Sequence, residues 1–291
     1  MKKKWVLFGL TFLLIVASLG LAGCGSDKAT SSDNKETAAS EKADAGSQEV
    51  VTIKVGATPV PHSEILENVV KPLLEAEGVK LEVITYQDYV LPNQNLNDKE
   101  IDANFFQHIP YLEDFSAKHN LAIDWAAKVH LEPMGIYSKK VEDLNQVKDG
   151  AKVAVPNDPS NLGRALLLLE KADLLTLKEG AGIAATELDI TDSKVSVVPM
   201  DAAMLPRNLE DVELAVINTN FAIPAGLNPL NDALFLEEKD SPYANVLAIR
   251  KGDETRPEIE KLINAITSED VAKYINEKYE GAILPAIEVR Q

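Results

Sequence analysis

Three groups of residues in this chain have types and places that could do chemistry. The first is its single cysteine, Cys24, which ends the run Leu21-Ala22-Gly23-Cys24. A thiol sulfur is a nucleophile and can take a diacylglyceryl thioether. The second is Arg164, one of five arginines, which falls in the first turn of an expected helix. A cation there opposes the helix dipole. It becomes sensible if an anion binds, held by the guanidinium and free backbone N–H groups together; a solvated arginine is the other reading. The third is aromatic: of 16 Phe, Tyr and Trp residues, six lie in the 30 positions from Tyr86 to Phe115, beside His108. Rings at strand ends form a platform for an apolar ligand group, or else they fill the core. Strand alternation turns Phe105 and Phe106 to opposite sides, so at least one of them belongs to the core. Asn218 and Asn220 carry amide donors and carbonyl acceptors that can hold an ammonium or a carboxylate, or cap a turn. Together these groups describe a ligand with a carboxylate, a hydrogen-bonding amine and an apolar side chain, as a free amino acid has.

Alternating strands and helices must position them. Residues 51–57 (VTIKVGA) read as a buried strand, broken by Thr58-Pro59-Val60-Pro61. His62 to Glu77 follows as a helix, with apolar residues at helical spacing. A strand over 79–85, a short helix over 95–99 and a strand over 101–106 complete the group. The order then recurs: strand 151–155, helix 160–173, strand 194–198, helix 202–209 and strand 214–218. Even the closing stretches match, LPNQNLNDKEIDANFF against LPRNLEDVELAVINTNF. Such alternation predicts parallel sheets covered by helices. Two such groups predict two similar lobes, with one continuous sheet as the alternative. Residues 130–138 and 245–250 read as extended crossings between lobes, and helices over 256–268 and 269–279 return to the first lobe. In open parallel sheets ligands sit beyond the carboxyl ends of the strands. The expected site is therefore the gap between lobes.

The N-terminus has the form of an export signal. Lys2, Lys3 and Lys4 precede an apolar run from Trp5 to Gly20, with small residues before Cys24. Residues 1–23 are read as a lipoprotein signal peptide, and Cys24 as the acylated mature N-terminus carrying palmitate and diacylglycerol; an uncleaved membrane anchor with an incidental cysteine is the alternative. Residues 25–49 contain no aromatic residue and almost no aliphatic bulk, so they read as a disordered tether. The expected location is the extracytoplasmic face of the cell membrane, through the lipid. Loss of the three signal lysines takes the formal charge from −17 to −20 (−17 − 3). That sign disfavours nucleic acid as a partner.

Other functions find little support in the residue pattern. Four histidines (His62, His108, His119 and His130) make a metal-binding lipoprotein conceivable, yet no pair has HxH or HExxH spacing. There is no GxSxG elbow and no free cysteine nucleophile for an exported enzyme. A Ser–His–Asp set assembled from distant positions stays open, because triads are defined by geometry. An adhesin or scaffold role is compatible with the same fold. No P-loop is present, so no nucleotide hydrolysis is expected.

The stretches VGATPVPHSEIL, DYVLPNQNLNDKEIDANFFQHIPYL, PNDPSNLGRALLLLE and LPRNLEDVELAVINTNFA resemble the methionine-binding lipoproteins of bacterial ABC importers, from about Val51 to the C-terminus. The resemblance implies an α/β, two-lobed periplasmic-binding-protein fold, each lobe a βα sheet sandwich with ligand in the interlobe cleft. Residues 50–134 and 245–291 would form lobe 1, and 135–244 lobe 2. It implies capture of methionine, L- in preference to D-, and delivery to a cognate permease and its ATPase. It implies no enzyme activity, cofactor or metal. A methionine-containing dipeptide or another amino acid is the alternative ligand. Carried over residue by residue, the side-chain pocket falls on Tyr89, Phe106, His108 and Tyr111. Arg164 falls on the carboxylate clamp, and Asn161 and Asn218 on polar contacts to the amino-acid backbone. Loss of Arg164 is expected to weaken binding without disturbing the fold. No carboxylate matches for the ammonium; Glu132, beside the expected hinge, reads as a surface or hinge residue, or as a distant charge.

Overall fold

A computed structural model describes residues 50–239 and 241–290. The expected signal peptide, Cys24 and the tether lie outside these residues. Along the chain, β1 (Val51–Ala57) leads through helical turns that begin at Pro59 and end as α1 (Lys71–Ala76). Then come β2 (Val79–Thr85), α2 (Leu91–Asn97), β3 (Ala103–His108), α3 (Ile109–His119) and β4 (Ile123–Leu131). The middle of the chain holds β5 (Gly135–Tyr137), β6 (Ala151–Pro156), α4 (Pro159–Lys171) and the short pair β7 (Leu175–Leu177) and β8 (Ile190–Ser193). It continues with β9 (Val195–Met200), α5 (Leu205–Asn208), β10 (Leu214–Ile217), α6 (Thr219–Ala222), α7 (Pro229–Asp232) and β11 (Phe235–Leu236). Finally β12 (Ala244–Arg250), α8 (Pro257–Ile266), α9 (Glu269–Tyr279) and β13 (Leu284–Val289) close the fold.

The strands form two lobes, each built on a mixed sheet. One sheet runs β13-β4-β12-β3-β1-β2, the other β11-β5-β10-β6-β9. The repeat read in the sequence is a repeat in space. In each sheet the first strand of the group lies between the third and the second, as β3-β1-β2 and β10-β6-β9, with parallel pairing. An antiparallel strand then flanks the third, β12 on β3 and β5 on β10. Wholly parallel sheets were the expectation, and only these three-stranded groups obey it. The crossing strands run the other way because the chain returns to each sheet from the opposite lobe. It leaves the first sheet at Leu131, enters the second at Gly135, and returns at Ala244.

Strand alternation builds a core on both faces of each sheet. On β12, Leu247 and Ile249 pack with Ile53, Val55 and the C-terminal helices, while Val246 and Ala248 face Leu96, Ile101 and Leu112. On β10, Leu214 and Val216 meet Leu166 and Leu169 of α4, and Ala215 and Ile217 meet Leu205 and Leu209. Helices α8 and α9 cover the first sheet through Ile259, Leu262, Ile266, Val271 and Ile275, as the sequence predicts.

Three expectations need correcting. Helix α2 starts at Leu91, four residues before its predicted start, because Pro92 suits a first turn, where its missing N–H costs nothing. Helix α3, whose apolar face is weak, and β13, which carries an internal proline on a sheet edge, have no clear signature in the sequence. Arg164 lies in the second turn of α4, which begins at Pro159. The dipole argument therefore does not apply to it, and the first turn is served by Asp158, whose carboxylate accepts from Asn161 N–H at 2.9 Å.

Candidate functional site

The carboxyl ends of β3 and β10 face one another across the gap, and the crossings run past it. One small cavity opens there, between side chains that already touch across the gap. All seven residues carried over from the resemblance line it: Tyr89, Phe106, His108 and Tyr111 from the first lobe, and Asn161, Arg164 and Asn218 from the second. Glu132, Asn220 and Asn245 line it as well.

Local chemistry accounts for these placements. His108 ends β3 and caps α3, its Nδ1 accepting from Tyr111 N–H at 3.2 Å. The proton of His108 is therefore on Nε2, which donates to Asn161 Oδ1 across the gap at 3.1 Å. Asn161 Oδ1 also accepts from Asn218 Nδ2 at 2.8 Å, while its own amide is held by Asp158 at 3.0 Å. Gln107 on the wall forms a closed amide ring with Asn93 and Asn104 at 2.7–2.9 Å, which ties α2 to β3. Asn245 sits in β12 directly between His108 of β3 and His130 of β4. The one signal that could have marked it is an amide inside an otherwise apolar strand.

The cavity has an apolar side and a polar side. Tyr89, Phe106 and Tyr111 stand 5.7–6.0 Å apart, centroid to centroid. Tyr111 Oη donates to the Tyr89 carbonyl at 2.8 Å, and Tyr89 Oη donates across the gap to Asn220 Oδ1 at 2.6 Å. Phe105 instead turns into the first-lobe core, fully buried, so the two neighbouring rings divide between core and cavity. Opposite the rings, Asn218 Oδ1 and Asn220 Nδ2 are buried without a partner among the described residues, one an acceptor and one a donor. Unpaired buried polar atoms are costly, and this pair suits a ligand that brings both a donor and an acceptor.

Arg164 is not the free clamp that the sequence suggests. Its Nε donates to Glu237 Oε1 at 3.0 Å and its Nη2 to Glu237 Oε2, a bidentate pair, and Nη2 also meets the Glu132 carbonyl at 2.7 Å. The guanidinium stacks 4.3 Å from the Tyr243 ring. Only Nη1 has no partner among the described residues, so a ligand carboxylate would meet an end of the fork and not its bidentate edge. Glu237 lies 73 positions downstream in a charged stretch, and nothing in the sequence couples it to Arg164.

Glu132 is neither a surface residue nor a distant charge. It is 5 % exposed and lines the cavity. Its Oε1 accepts from His130 Nε2 at 2.7 Å, and His62 Nε2 lies 3.3 Å away. His62 is oriented by Thr58 Oγ1 on Nδ1 at 2.8 Å and by Asn245 Oδ1 on Nε2 at 3.2 Å. Burial lowers His62 to about 4, against the opposing pull of Glu132. Burial likewise lowers His108 and His130 to about 3. These imidazoles are neutral near pH 7. Burial pushes the Glu132 carboxyl up, while His62, Arg164 and the Asn220 backbone draw it back down. His62, His130 and Glu132 are also the one group among the described residues with metal-ligand chemistry in reach. Two ligands of a tetrahedral zinc lie about 3.3 Å apart, given bonds of about 2.0 Å. At 2.7 Å the His130–Glu132 contact is closer than that, and the cluster stands as a hydrogen-bonded network.

Residues 53–287 match the NlpA lipoprotein family. The D-methionine-binding lipoprotein MetQ of Salmonella typhimurium is 38 % identical over 271 residues, 92 % of this chain and 93 % of the relative. A nutrient-binding protein from Burkholderia cenocepacia, solved bound to methionine, is 44 % identical with a TM-score of 0.77, over 80 % of this chain and 99 % of that one. An ABC-transporter periplasmic substrate-binding protein from Coxiella burnetii is 45 % identical with a TM-score of 0.76, over 80 % of this chain and all of the other.

Proposed function

Since the chain belongs to the NlpA lipoprotein family, a family of ABC-transporter substrate-binding proteins and not of enzymes, we propose that it captures methionine between its lobes and delivers it to an ABC importer. The observation that carries this is the division of one small cavity into a ring-lined half and an amide-lined half. A thioether against Tyr89, Phe106 and Tyr111 gains about 0.3–1.5 kcal/mol per sulfur–aromatic contact. The polar end of the amino acid would meet Asn161, Arg164, Asn218 and Asn220.

Residues 50–134 with 245–291 act as one lobe and 135–244 as the other, hinged at the two crossings. The bonds Tyr89–Asn220 and His108–Asn161 join the lobes, so closure and ligand contact involve the same side chains. A ligand that touches both lobes favours the closed form, which then docks on the permease. Acylation of Cys24 would keep the protein at the outer face of the membrane.

Calorimetry with L-methionine, D-methionine and methionine-containing dipeptides tests the proposal. Saturable binding of L-methionine, tighter than D-methionine or any dipeptide, is expected. Binding of none of these, with another amino acid bound instead, would refute it.

A further inference from the structure

The expected ligand is a zwitterion, and the site's positive and negative charges are not balanced. Arg164 is the one cation on the cavity wall among the described residues, and its charge is matched by Glu237 in a bidentate pair. Glu132 adds a second, buried carboxylate with no cation of its own. On its Oε1 side His130 is a neutral donor, and the neutral His62 ring lies 3.3 Å from the same oxygen. No side-chain donor among the described residues reaches Oε2. Independently, Asn218 Oδ1, on a side chain 6 % exposed, is a second acceptor on the same wall without a donor. The Asn220 backbone also bonds the Glu132 carboxylate but brings it no charge. An ammonium brings three donors and a positive charge, which suits a carboxylate without a cation of its own beside an amide oxygen without a donor.

We infer that Glu132 is the residue that receives the ligand's α-ammonium, with Asn218 Oδ1 as its neighbour, and that it makes the site selective for ligands with a free amine. The inference rests on the cavity being an amino-acid site and goes further by naming the group that neutralises the amine. His130 is a positioning residue: it holds Oε1 and leaves Oε2 without a side-chain donor. An N-acylated or des-amino ligand would leave Glu132 buried without a counter-charge, and the ligand carboxylate would face an uncompensated like charge.

The test compares L-methionine with 4-(methylsulfanyl)butanoate, which has the same thioether and carboxylate but no amine, by calorimetry on the wild type and on Glu132→Gln. A charged hydrogen bond of this kind corresponds to about 10- to 150-fold in affinity. The wild type should prefer methionine by at least that factor. Glu132→Gln should lose most of this preference, chiefly by weaker methionine binding, with the des-amino acid bound as well as before or better. An equal loss for both compounds, or an unchanged ratio, overturns the role of Glu132 and leaves the methionine reading intact. The wild-type ratio alone suffices should the variant not fold: equal affinity for the two compounds overturns the inference. If the wild type binds neither compound, the methionine reading itself fails, and this inference with it.

Discussion

Removing the Arg164 guanidinium should cost stability as well as ligand, contrary to what the sequence alone suggests. Its side chain is 4 % exposed and that of Glu237 12 %, so the pair is shielded from solvent. Arg164→Ala strands Glu237 with no counter-charge and strips the Glu132 carbonyl of a donor at 2.7 Å. Breaking one half of a buried pair costs about 3–5 kcal/mol. In a domain of this size, about 2–4 °C per kcal/mol puts the melting temperature about 6–20 °C lower. The double variant Arg164→Met/Glu237→Leu removes both charges at similar volume, and such replacements are near neutral or stabilising. Urea unfolding of the three proteins should therefore show a large loss in the single variant and recovery of most of it in the double. Methionine binding should be lost in both, since neither retains the Nη1 donor. A single variant that unfolds at the wild-type midpoint would refute the energetic role of the pair. A double variant with wild-type affinity would remove Arg164 from the ligand site.

Two further outcomes follow from packing and charge. In Gly163→Ala the new Cβ would be driven into the Ile183 carbonyl oxygen and lie 3.2 Å from Ala185 N, so backbone must move. Overpacking of about 1–3 kcal/mol outweighs the helix gain of about 1 kcal/mol, and urea unfolding should show a net loss; increased stability would contradict the packing. The buried histidines should make the fold acid-sensitive. Between about pH 6.5 and 4 the unfolded chain binds protons that neutral His62, His108 and His130 refuse, so stability falls as pH is lowered through that window. The slope reaches about 1.4 kcal/mol per pH unit per histidine. Glu132 and Asp158, whose carboxyls burial raises, oppose it by taking up protons in the folded state. Unfolding midpoints that rise on acidification from pH 6.5 would refute the assignment.

Much of the architecture was legible because its causes are local. Strands β1 and β2 match their predicted spans, and α9 also does so, with Ser268 capping its start. Each has a hydrophobic period and a breaker within a few residues, which is information carried by neighbours in the chain. The repeat was legible for the same reason, and it placed the cavity at the ends of β3 and β10 before any contact was known. Helix α3 and strand β13 were not legible, since tertiary packing, and not a periodic pattern, holds them in place.

The sequence by itself determined the βα repeat, the aromatic cluster and the residues at the strand ends, because periodicity and turn chemistry act over short separations. Only the tertiary structure decided which charges meet. Arg164 and Glu237 are 73 positions apart, and His62 and Asn245 are 183 apart. Electrostatic and hydrogen-bond partners depend on distance in space and on burial, and a one-dimensional order of residues records neither. That is why Glu132 read as a hinge residue in the sequence and stands as a buried, cavity-lining carboxylate in the fold.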